Sequence, residues 1–598
     1  MKTLKLLPLF LFVLLISSVM FFYISGEDHL VYAQAPTPIY YLQDLNAVRD
    51  GLSGDYILMN DLDFNINSSY DQTDADWELK KTFWTTGTGW EPIGTISNRF
   101  SGIFDGQDFS ISGLFIDNPV VADVGLFGAL SLDSQVHDLN LLDIDISIGL
   151  SSVDEVGGLA GYLNGGKLEN IYVSGSIIDE EGNSWMTGGV VGYATLIDMS
   201  NCSSTVNIVG VDSLGGLIGS NFRGTVSTSQ WEGVIEGTSY LGGLLGQNEG
   251  GVVSDSHTSG SVLGDVNLSS AYIGGLVGNN RHYWTWDETG EIKDSSSLAL
   301  VTGKSEVGGL VGLLEGSLTF IENSYATGDV LGSPDSFNLG GLVGWVTQGA
   351  AVRKSFASGN VVGDDYVGGL IGRANGIITD SYALGDVAEV AGGYEDGYYI
   401  GGLIGEHYGD AETHNSYSVG TVTAFDNSDV GGLIGSNSGL VVANSFWDMD
   451  SSLMTISDGG MGKTTEQMKL IVTYNDVSTE GLDEEWNILG IEVFDPENPS
   501  IWYIDSGLDY PRLFFEYTGW EGDGEEEGDV EPPNDEEEDL LEEDSTDESE
   551  TDDTEGDQIE GTLEEQLPKT GMDILPFLLS IVSIFTGYLF INPRKKTL

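Results

Sequence analysis

Apolar and polar residues alternate along the middle of the chain with the period of β-strands. Between residues 121 and 447, short alternating stretches rich in Val, Ile and Leu end in Gly, Asn, Asp or Ser. Such alternation predicts half-buried strands. The terminating residues predict turns, because their side chains hydrogen-bond the local backbone. Since no stretch of this region keeps a helical period, the pattern predicts an all-β fold.

A pentapeptide repeat divides this region into units. The sequence Gly-Gly-apolar-apolar-Gly occurs ten times, at intervals of 27 to 34 residues. Its first glycines are Gly157, Gly188, Gly215, Gly242, Gly274, Gly308, Gly340, Gly368, Gly401 and Gly431. A degenerate eleventh copy spans Val124 to Gly128. Self-similarity at this period is typical of solenoids, whose repeats contact mainly their neighbours.

The size of each unit decides how the repeats pack. A second phrase, which begins with an aromatic residue and contains a glycine, accompanies the pentapeptide, as in residues 325–330 and 382–387. Each unit thus offers two or three short strands, which must share one core with the neighbouring coils. Eleven copies exceed the roughly four to eight blades of a propeller. We predict an open β-solenoid, a right-handed parallel β-helix, whose repeat glycines allow either a positive φ or a close approach between coils.

The pentapeptide resembles the GLUG motif of bacterial surface proteins. Flanking segments are similar to the same family at residues 56–63, 89–94, 100–114, 444–452, 457–469 and 510–513. Because the ends of a solenoid expose strand edges that need covering, we expect capping segments around the repeats. These assignments are an N-terminal β cap at 36–120, the GLUG-repeat solenoid at 121–447 and a C-terminal cap at 448–520.

The resemblance also bears on catalysis. GLUG motifs are known from secreted chains that carry a zinc peptidase domain, but this chain has no His-Glu-x-x-His sequence. Gly-x-Ser-x-Gly and phosphate-binding loop sequences are absent as well, and each would be needed for its own class of chemistry. We therefore predict that the protein is not an enzyme and has no catalytic residues and no cofactor.

The N-terminus predicts export. Lys2 and Lys5 precede an apolar run, and small residues follow around Ala33. This order is that of a secretory signal peptide. We expect cleavage after Ala33, which makes residues 1–33 the signal peptide. An uncleaved membrane anchor is the alternative, because the apolar run is long enough to cross a bilayer.

The C-terminus resembles the sortase sorting signal of Gram-positive surface proteins. The motif LPKTG is formed by Leu567, Pro568, Lys569, Thr570 and Gly571. An 18-residue apolar stretch at 574–591, a predicted transmembrane helix, and a basic tail complete the segment 567–598. The resemblance implies that sortase cuts between Thr570 and Gly571 and joins Thr570 to peptidoglycan. An ordinary tail-anchored protein is the alternative.

Charge excludes one class of partner and predicts a spacer. The chain has 95 acidic against 21 basic residues, a net charge of −74, so it will not bind nucleic acid by neutralising phosphates. Residues 521–566 contain 25 acidic residues and no Lys or Arg. Self-repulsion keeps such a segment disordered, and we interpret it as a stalk through the cell wall; a solubilising tail is the alternative.

The single cysteine, Cys202, permits neither an intrachain disulfide nor a cysteine zinc site.

Two local groups could supply metal ligands. The first consists of His407, Asp410, Glu412 and His414, whose imidazoles and carboxylates would suit a transition metal. A polar turn is the simpler interpretation, because other repeats carry unrelated residues there. The second consists of Asp61 and Asp63, which lie two apart in a strand-like run. Calcium needs about six or more oxygen ligands, and we predict no metal site at either place.

One insertion suggests a binding surface. Tyr283, Trp284 and Trp286 follow the pentapeptide at Gly274, where other repeats are short and polar. Loop aromatics can stack on sugars or anchor a protein partner, although they can equally pack over the solenoid.

These features favour a cell-wall-anchored, surface-exposed adhesin or binding protein. Its partners would be sortase, peptidoglycan and an extracellular glycan or host-matrix protein. A structural wall protein is the alternative, as is a polysaccharide-active β-helix enzyme, which would need paired carboxylates on one face.

Overall fold

The strands of the repeat region form a parallel β-solenoid. The computed structural model describes residues 35–150, 152–267, 270–283, 288–391, 399–425, 429–494, 496 and 499–518. Ala33 with the signal peptide, the acidic stalk and the sorting signal with its apolar span lie outside these residues. Among the described residues, one sheet of 41 strands and one of 11 carry the solenoid. The predicted all-β solenoid is confirmed.

The pentapeptides set the register of the coils. The ten first glycines pair with one another in a single ladder that runs from Gly157 to Gly431. The degenerate copy joins this ladder, since Val124 pairs with Val156 and Phe127 with Ala160. These two pairings show that the copy lacks one glycine at the corner. Repeat period and coil period are therefore the same.

Two strands meet at each pentapeptide. The upstream strand of the degenerate copy, Asp123–Val124, ends just before Gly125. The other upstream strands end at the first glycine and are Glu155–Gly157, Met186–Gly188, Asp212–Gly215, Ser239–Gly242, Ala271–Gly274, Leu300–Gly308, Val330–Gly340, Asp365–Gly368, Ile400–Gly401 and Val430–Gly431. The downstream strands begin at the second apolar residue and form the 11-stranded sheet; they are Phe127–Leu130, Ala160–Asn164, Val191–Thr195, Ile218–Phe222, Leu245–Glu249, Val277–Arg281, Val311–Glu315, Val343–Val346, Ile371–Ala374, Ile404–His407 and Ile434–Asn437.

Further strands complete each coil. The third strands are Asp198–Ser200, Thr225–Ser227, Val252–Ser254, Gly290–Lys293, Thr319–Glu322, Ala351–Arg353, Ile377–Thr379, Glu412–His414 and Val441–Ala443. The fourth strands are Ser203–Val209, Gln230–Gly237, His257–Gly264, Ser296–Ser297, Tyr325–Ala326, Phe356–Ala357, Tyr382–Ala383, Tyr417–Ser418 and Phe446–Asp448, with short continuations at Val361–Gly363, Val387–Glu389 and Val422–Thr423. Gln135–Ser147 and Lys167–Ile178 cover both positions. Each coil thus has four strands where two or three were predicted, because the turn that precedes the aromatic phrase separates the third strand from the fourth.

The pentapeptide positions require glycine because adjacent coils pack closely against each other there. A Cβ on Gly341 would lie 2.1 Å from the carbonyl oxygen of Gly369 in the next coil, and Gly341 has no positive φ. Of the two predicted reasons for these glycines, close approach is the correct one. The apolar pair that follows, such as Leu342 and Val343, is fully buried. Two successive residues can both point inward because the chain turns the corner between them.

A ladder of serines builds the second turn. Each hydroxyl donates to the carbonyl two residues earlier and accepts the backbone N–H of the equivalent residue one coil before, over 3.1–3.3 Å. The members are Ser229, Ser256, Ser295, Ser324, Ser355, Ser381, Ser416 and Ser445, and Cys202 takes the first position. The residue before each member has a positive φ. It is most often Asn or Asp, which tolerate the left-handed region best among non-glycine residues.

The solenoid extends into the segments on both sides. N-terminal strands are Thr37–Ile39, Tyr56–Leu58, Leu62–Asp63, Ile103–Asp105, Ser110–Ser112 and Phe115–Asp117, with α-helices Leu42–Ala47 and Trp77–Thr85 and 3₁₀ turns Val48–Asp50 and Asn67–Ser69. C-terminal strands are Met461–Lys463, Ile488–Gly490, Trp502–Ile504 and Arg512–Leu513, with α-helices Met449–Ser452, Thr465–Met468, Val472–Asn475 and Phe515–Thr518 and a 3₁₀ turn Ile491–Val493. Parallel pairing continues through Tyr56 and Phe104 to Val136. It ends where Met461–Lys463 joins Phe446–Asp448.

Candidate ligand-binding face

Two outward rows of side chains border the pentapeptide corner, and we call them together the outer strip. The first row lies on the upstream strands, two residues before the first glycine, and contains Ser213, Tyr240, Tyr272, Glu306, Asn338, Tyr366 and Tyr399. The second row lies in register on the downstream strands and contains Tyr162, Tyr193, Ser220, Gln247, Asn279, Leu313, Trp345, Arg373, Glu406 and Ser436. The strip mixes aromatic rings with hydrogen-bonding groups.

Backbone strain marks the first row. Its tyrosines have φ between 54° and 65° at Tyr240, Tyr272, Tyr366 and Tyr399. Bulky residues rarely adopt this region, and each such residue costs about 1–3 kcal/mol and persists only where the surrounding structure imposes the conformation. Asn338 holds the same position in another coil, so a residue better suited to this backbone also fits there. The fold therefore does not require tyrosine at this position.

Rings and a guanidinium are packed together in the later coils. The Arg373 guanidinium lies 4.3 Å from the ring centre of Tyr408 and 5.0 Å from that of Tyr366. Its Nε donates to Glu406 over 2.5 Å. Burial would lower the pKa of Arg373, but this hydrogen bond and the charge of Glu406 raise it overall. Trp345 Nε1 donates to the Tyr408 hydroxyl over 3.1 Å, which fixes the indole beside the guanidinium.

The earlier coils of the outer strip also combine aromatic rings with hydrogen-bonding side chains, but these side chains are uncharged. The rings of Tyr240 and Tyr272 stack with 4.8 Å between their centres, and those of Tyr162 and Tyr193 lie 5.8 Å apart. Gln247 Nε2 donates to Ser213 Oγ over 2.7 Å, which joins the two rows. Burial raises the pKa of the Tyr193 hydroxyl to about 12, so it remains a neutral hydrogen-bonding group.

A carboxyl pair ends the strip toward the N-terminus. Asp123 and Glu155 are register partners on adjacent upstream strands, and Asp123 is 6% exposed. Burial is the main cause that raises the pKa of both groups, and a hydrogen bond to Asp123 contributes to bringing that of Glu155 to about 8. Paired carboxyls in glycosidases stand about 5–9.5 Å apart to admit sugar or water. A pair in hydrogen-bond contact does not have that spacing.

A second aromatic ladder is covered by the chain itself. Tyr325, Phe356, Tyr382 and Tyr417 stack with 4.9–5.0 Å between ring centres. The C-terminal segment packs on this ladder, and Trp502 Nε1 donates to Asp380 over 3.1 Å. Tyr417 donates to the carbonyl of Pro511 and Tyr382 to Glu516. In the outer strip, the tyrosines, Trp345 and Arg373 remain partly exposed, whereas their own coils bury Ser213, Ser220, Asn279, Glu306, Leu313 and Asn338.

The predicted aromatic loop lies only partly within the described residues. Tyr283 packs edge-on against Phe222, with 4.7 Å between ring centres, whereas Trp284 and Trp286 fall outside. Phe222 is two residues beyond Ser220 of the strip. Arg223 pairs with Glu288, and Arg281 pairs with Glu249 over 2.9 Å. The base of the loop is therefore fixed to the neighbouring coils beside the outer strip.

The two groups weighed as metal sites are not assembled as such. His407 is buried, with Nδ1 2.8 Å from Asn437 Oδ1, and His414 Nε2 lies 3.7 Å from Glu412. Asp61 accepts from Ser110, and Asp63 from the backbone of Asn65.

In the part of the chain that the structure describes, the helices are all too short or too polar to cross a membrane.

The strip itself was missed because it is discontinuous in sequence. Its two rows recur once per coil, and no window of the sequence contains more than a few members. Aligning the repeats on their first glycine would reveal a large residue at the same offset, as at Tyr240, Tyr272 and Tyr366.

Comparisons with known proteins agree with the repeat. The GLUG motif family model matches residues 183–209, 335–362, 363–388 and 396–423. Halomucin of Haloquadratum walsbyi is 34% identical over 172 residues, which are 26% of this chain. A protein of Evansella cellulosilytica named as a Gly-rich membrane protein is 34% identical over 173 residues, or 28% of this chain. The chain spans only 2% and 17% of these two relatives.

Solved structures give more distant likenesses. A Bacteroides ovatus protein described as an immunoglobulin A1 protease has a TM-score of 0.32 and 17% identity, over 53% of this chain and 83% of its own. An IgA1 protease has a TM-score of 0.21 and 14% identity, over 67% of this chain and 20% of its own. Both scores are low, and nothing about activity follows from them. The four family-model matches fall on coils of the same register ladder, and the chain therefore carries repeats of the GLUG motif.

Proposed function

We propose that this chain is an exported surface protein, covalently anchored to peptidoglycan through Thr570, whose solenoid binds an extracellular glycan along the outer strip. The residues 567–571, the apolar stretch and the basic tail support the anchor. The name of the Evansella relative, a Gly-rich membrane protein, agrees with a place at the cell envelope. The acidic segment 521–566 would hold the solenoid away from the wall.

The strained tyrosines carry the binding proposal. Tyr240, Tyr272, Tyr366 and Tyr399 repeat at one position in conformations that tyrosine rarely adopts. Strain of this kind concentrates where a side chain serves function rather than folding. Aromatic rings with a few fixed polar groups are the usual composition of a ligand site, and such rings stack on apolar faces of sugars. Arg373 and Glu406 supply fixed hydrogen-bonding groups beside the rings.

Replacement by asparagine separates binding from folding. We expect purified protein to bind members of a glycan panel, and Tyr240→Asn/Tyr272→Asn to weaken that binding by about tenfold, the equivalent of about 1.4 kcal/mol. Because Asn suits a positive φ, the double variant should unfold at an unchanged or higher temperature. Phe83→Ala, at an exposed aromatic on the helix Trp77–Thr85, is the control and should bind as the unsubstituted protein does.

The alternatives predict different results. Undiminished binding by the double variant would remove the strip from the site. Binding to a host-matrix protein but to no glycan would show that the ligand is a protein and not a glycan. If the protein binds neither class while its unfolding is normal, a structural role in the wall becomes the better interpretation. Release of shortened sugar chains from the panel would instead indicate the polysaccharide-active enzyme.

A further inference from the structure

A histidine and two aspartates meet on the side of the solenoid, away from the pentapeptide corner. Asp105 and His137 are register partners on adjacent coils, and Asp138 follows His137 at the turn. His137 Nδ1 lies 2.8 Å from Asp138 Oδ2 and 3.7 Å from Asp105 Oδ1. Among the described residues, this is the group in which three such ligand atoms lie within 4.8 Å of one another.

We propose that Asp105, His137 and Asp138 bind a divalent transition metal ion of the zinc class. An ion about 2.0–2.2 Å from each ligand atom holds those atoms roughly 3–4 Å apart, which is close to the separations observed. One imidazole nitrogen with two carboxylates suits zinc better than calcium or magnesium, which prefer oxygen ligands throughout. The ion would replace the hydrogen bond between His137 and Asp138, with Nδ1 unprotonated.

The surroundings hold the ligands in place. Asn170, the equivalent residue of the next coil, donates through Nδ2 to Asp138 Oδ1 over 2.5 Å. The backbone N–H of Gln107 donates to Asp105 Oδ1 over 2.9 Å. Outer hydrogen bonds of this kind orient carboxylate ligands and strengthen metal binding. All three side chains are about one-third exposed or less, which leaves room for water to complete the coordination.

Neighbouring coils show that the fold does not require these residues. Parallel pairing places Glu169 next to His137, and the coil after that has Ser200 followed by Asn201 at the same two positions. His414 occupies the position of His137 in a later coil, but Asn415 follows it in place of a carboxylate. His414 is therefore a matched control, with the same place in the coil and an incomplete ligand set.

Zinc titration of the purified full chain tests the site. After treatment with a chelator, we expect one zinc ion to bind more tightly than the weak background of the acidic residues, and His414→Ala to bind it equally. Asp138→Asn should weaken this binding at least about tenfold. Asn suits the positive φ of position 138 and can still accept from Asn170, so this variant should fold. His137→Ala should have the same effect as Asp138→Asn.

Thermal unfolding provides a second measurement. The ligands come from two coils, so zinc should raise the unfolding temperature of the unsubstituted protein and of His414→Ala. The same addition should leave that of Asp138→Asn nearly unchanged. Equal zinc isotherms for Asp138→Asn and the unsubstituted protein would overturn the proposal, as would the absence of any zinc ion bound more tightly than the background.

Discussion

At the scale of single residues, the carboxyls of Asp123 and Glu155 share a buried site. Each has one oxygen that is buried and receives no hydrogen-bond donor. Two carboxyls in contact cannot both ionise easily, and one proton held between them satisfies both. Burial and this contact raise the pKa of Glu155 to about 8. In neutral solution the folded chain therefore holds a proton that the unfolded chain releases.

Stability should consequently fall as the pH rises. Below the ordinary glutamate pKa of about 4.3, both states are protonated and the pair contributes its full stability. Between that pH and about 8, the folded state binds more protons, so its stability declines with pH. Glu155→Gln should flatten the decline in unfolding temperature over this range. The exposed Glu232→Gln is the control, and an unaltered pH dependence in Glu155→Gln would contradict the shared proton.

At the scale of elements, two corners define every coil. The pentapeptide turns the chain by bringing glycine backbones of adjacent coils into contact, and the serine ladder turns it by hydrogen bonds between coils. From the pentapeptide to the serine turn, separate strands of three to five residues suffice, because each one inside the stack pairs with the equivalent strands of both neighbouring coils. Each coil is held mainly by the coils on either side, so damage at one corner should spread along the stack.

Gly341→Val tests the glycine corner. A side chain at this position would meet the carbonyl of Gly369, a backbone atom that cannot move aside without shifting a coil. We expect the free energy of unfolding to fall by about 3 kcal/mol, the upper part of the range for overpacked sites. Thr423→Val, on an exposed strand position, introduces the same side chain and should change it little. Denaturant unfolding of both variants measures the difference; equal midpoints would refute the close contact.

At the scale of the whole molecule, export, display and binding depend on different parts of the chain. The solenoid and its flanking elements fill residues 35–518 of the described structure, with the outer strip along several coils. The proposed signal peptide, stalk and sorting signal lie before and after them. Binding and anchoring can therefore be lost separately, which allows each to be tested without disturbing the other.

Thr570→Ala tests the anchor. Sortase would join this threonine to peptidoglycan, so the variant should remain in the membrane fraction or appear in the medium. Muramidase digestion of cells should release wall-linked protein from the unsubstituted strain only. Thr562→Ala, a threonine of the acidic segment outside the motif, is the matched control and should behave as the unsubstituted protein. Identical muramidase products from Thr570→Ala cells would show that the anchor is not this bond.

The sequence by itself determined the repeat, its period and its β character, because these follow from local patterns that recur in every unit. Gly341 and its equivalents, and the Asn-Ser and Asp-Ser turns, could be recognised without any long-range information. Only the tertiary structure decided that the glycines serve close packing rather than positive φ, because the contact is with a residue one coil away. It alone brought Asp105 to His137, and Arg373 to Tyr408, since parallel stacking joins side chains that the repeat length separates along the chain.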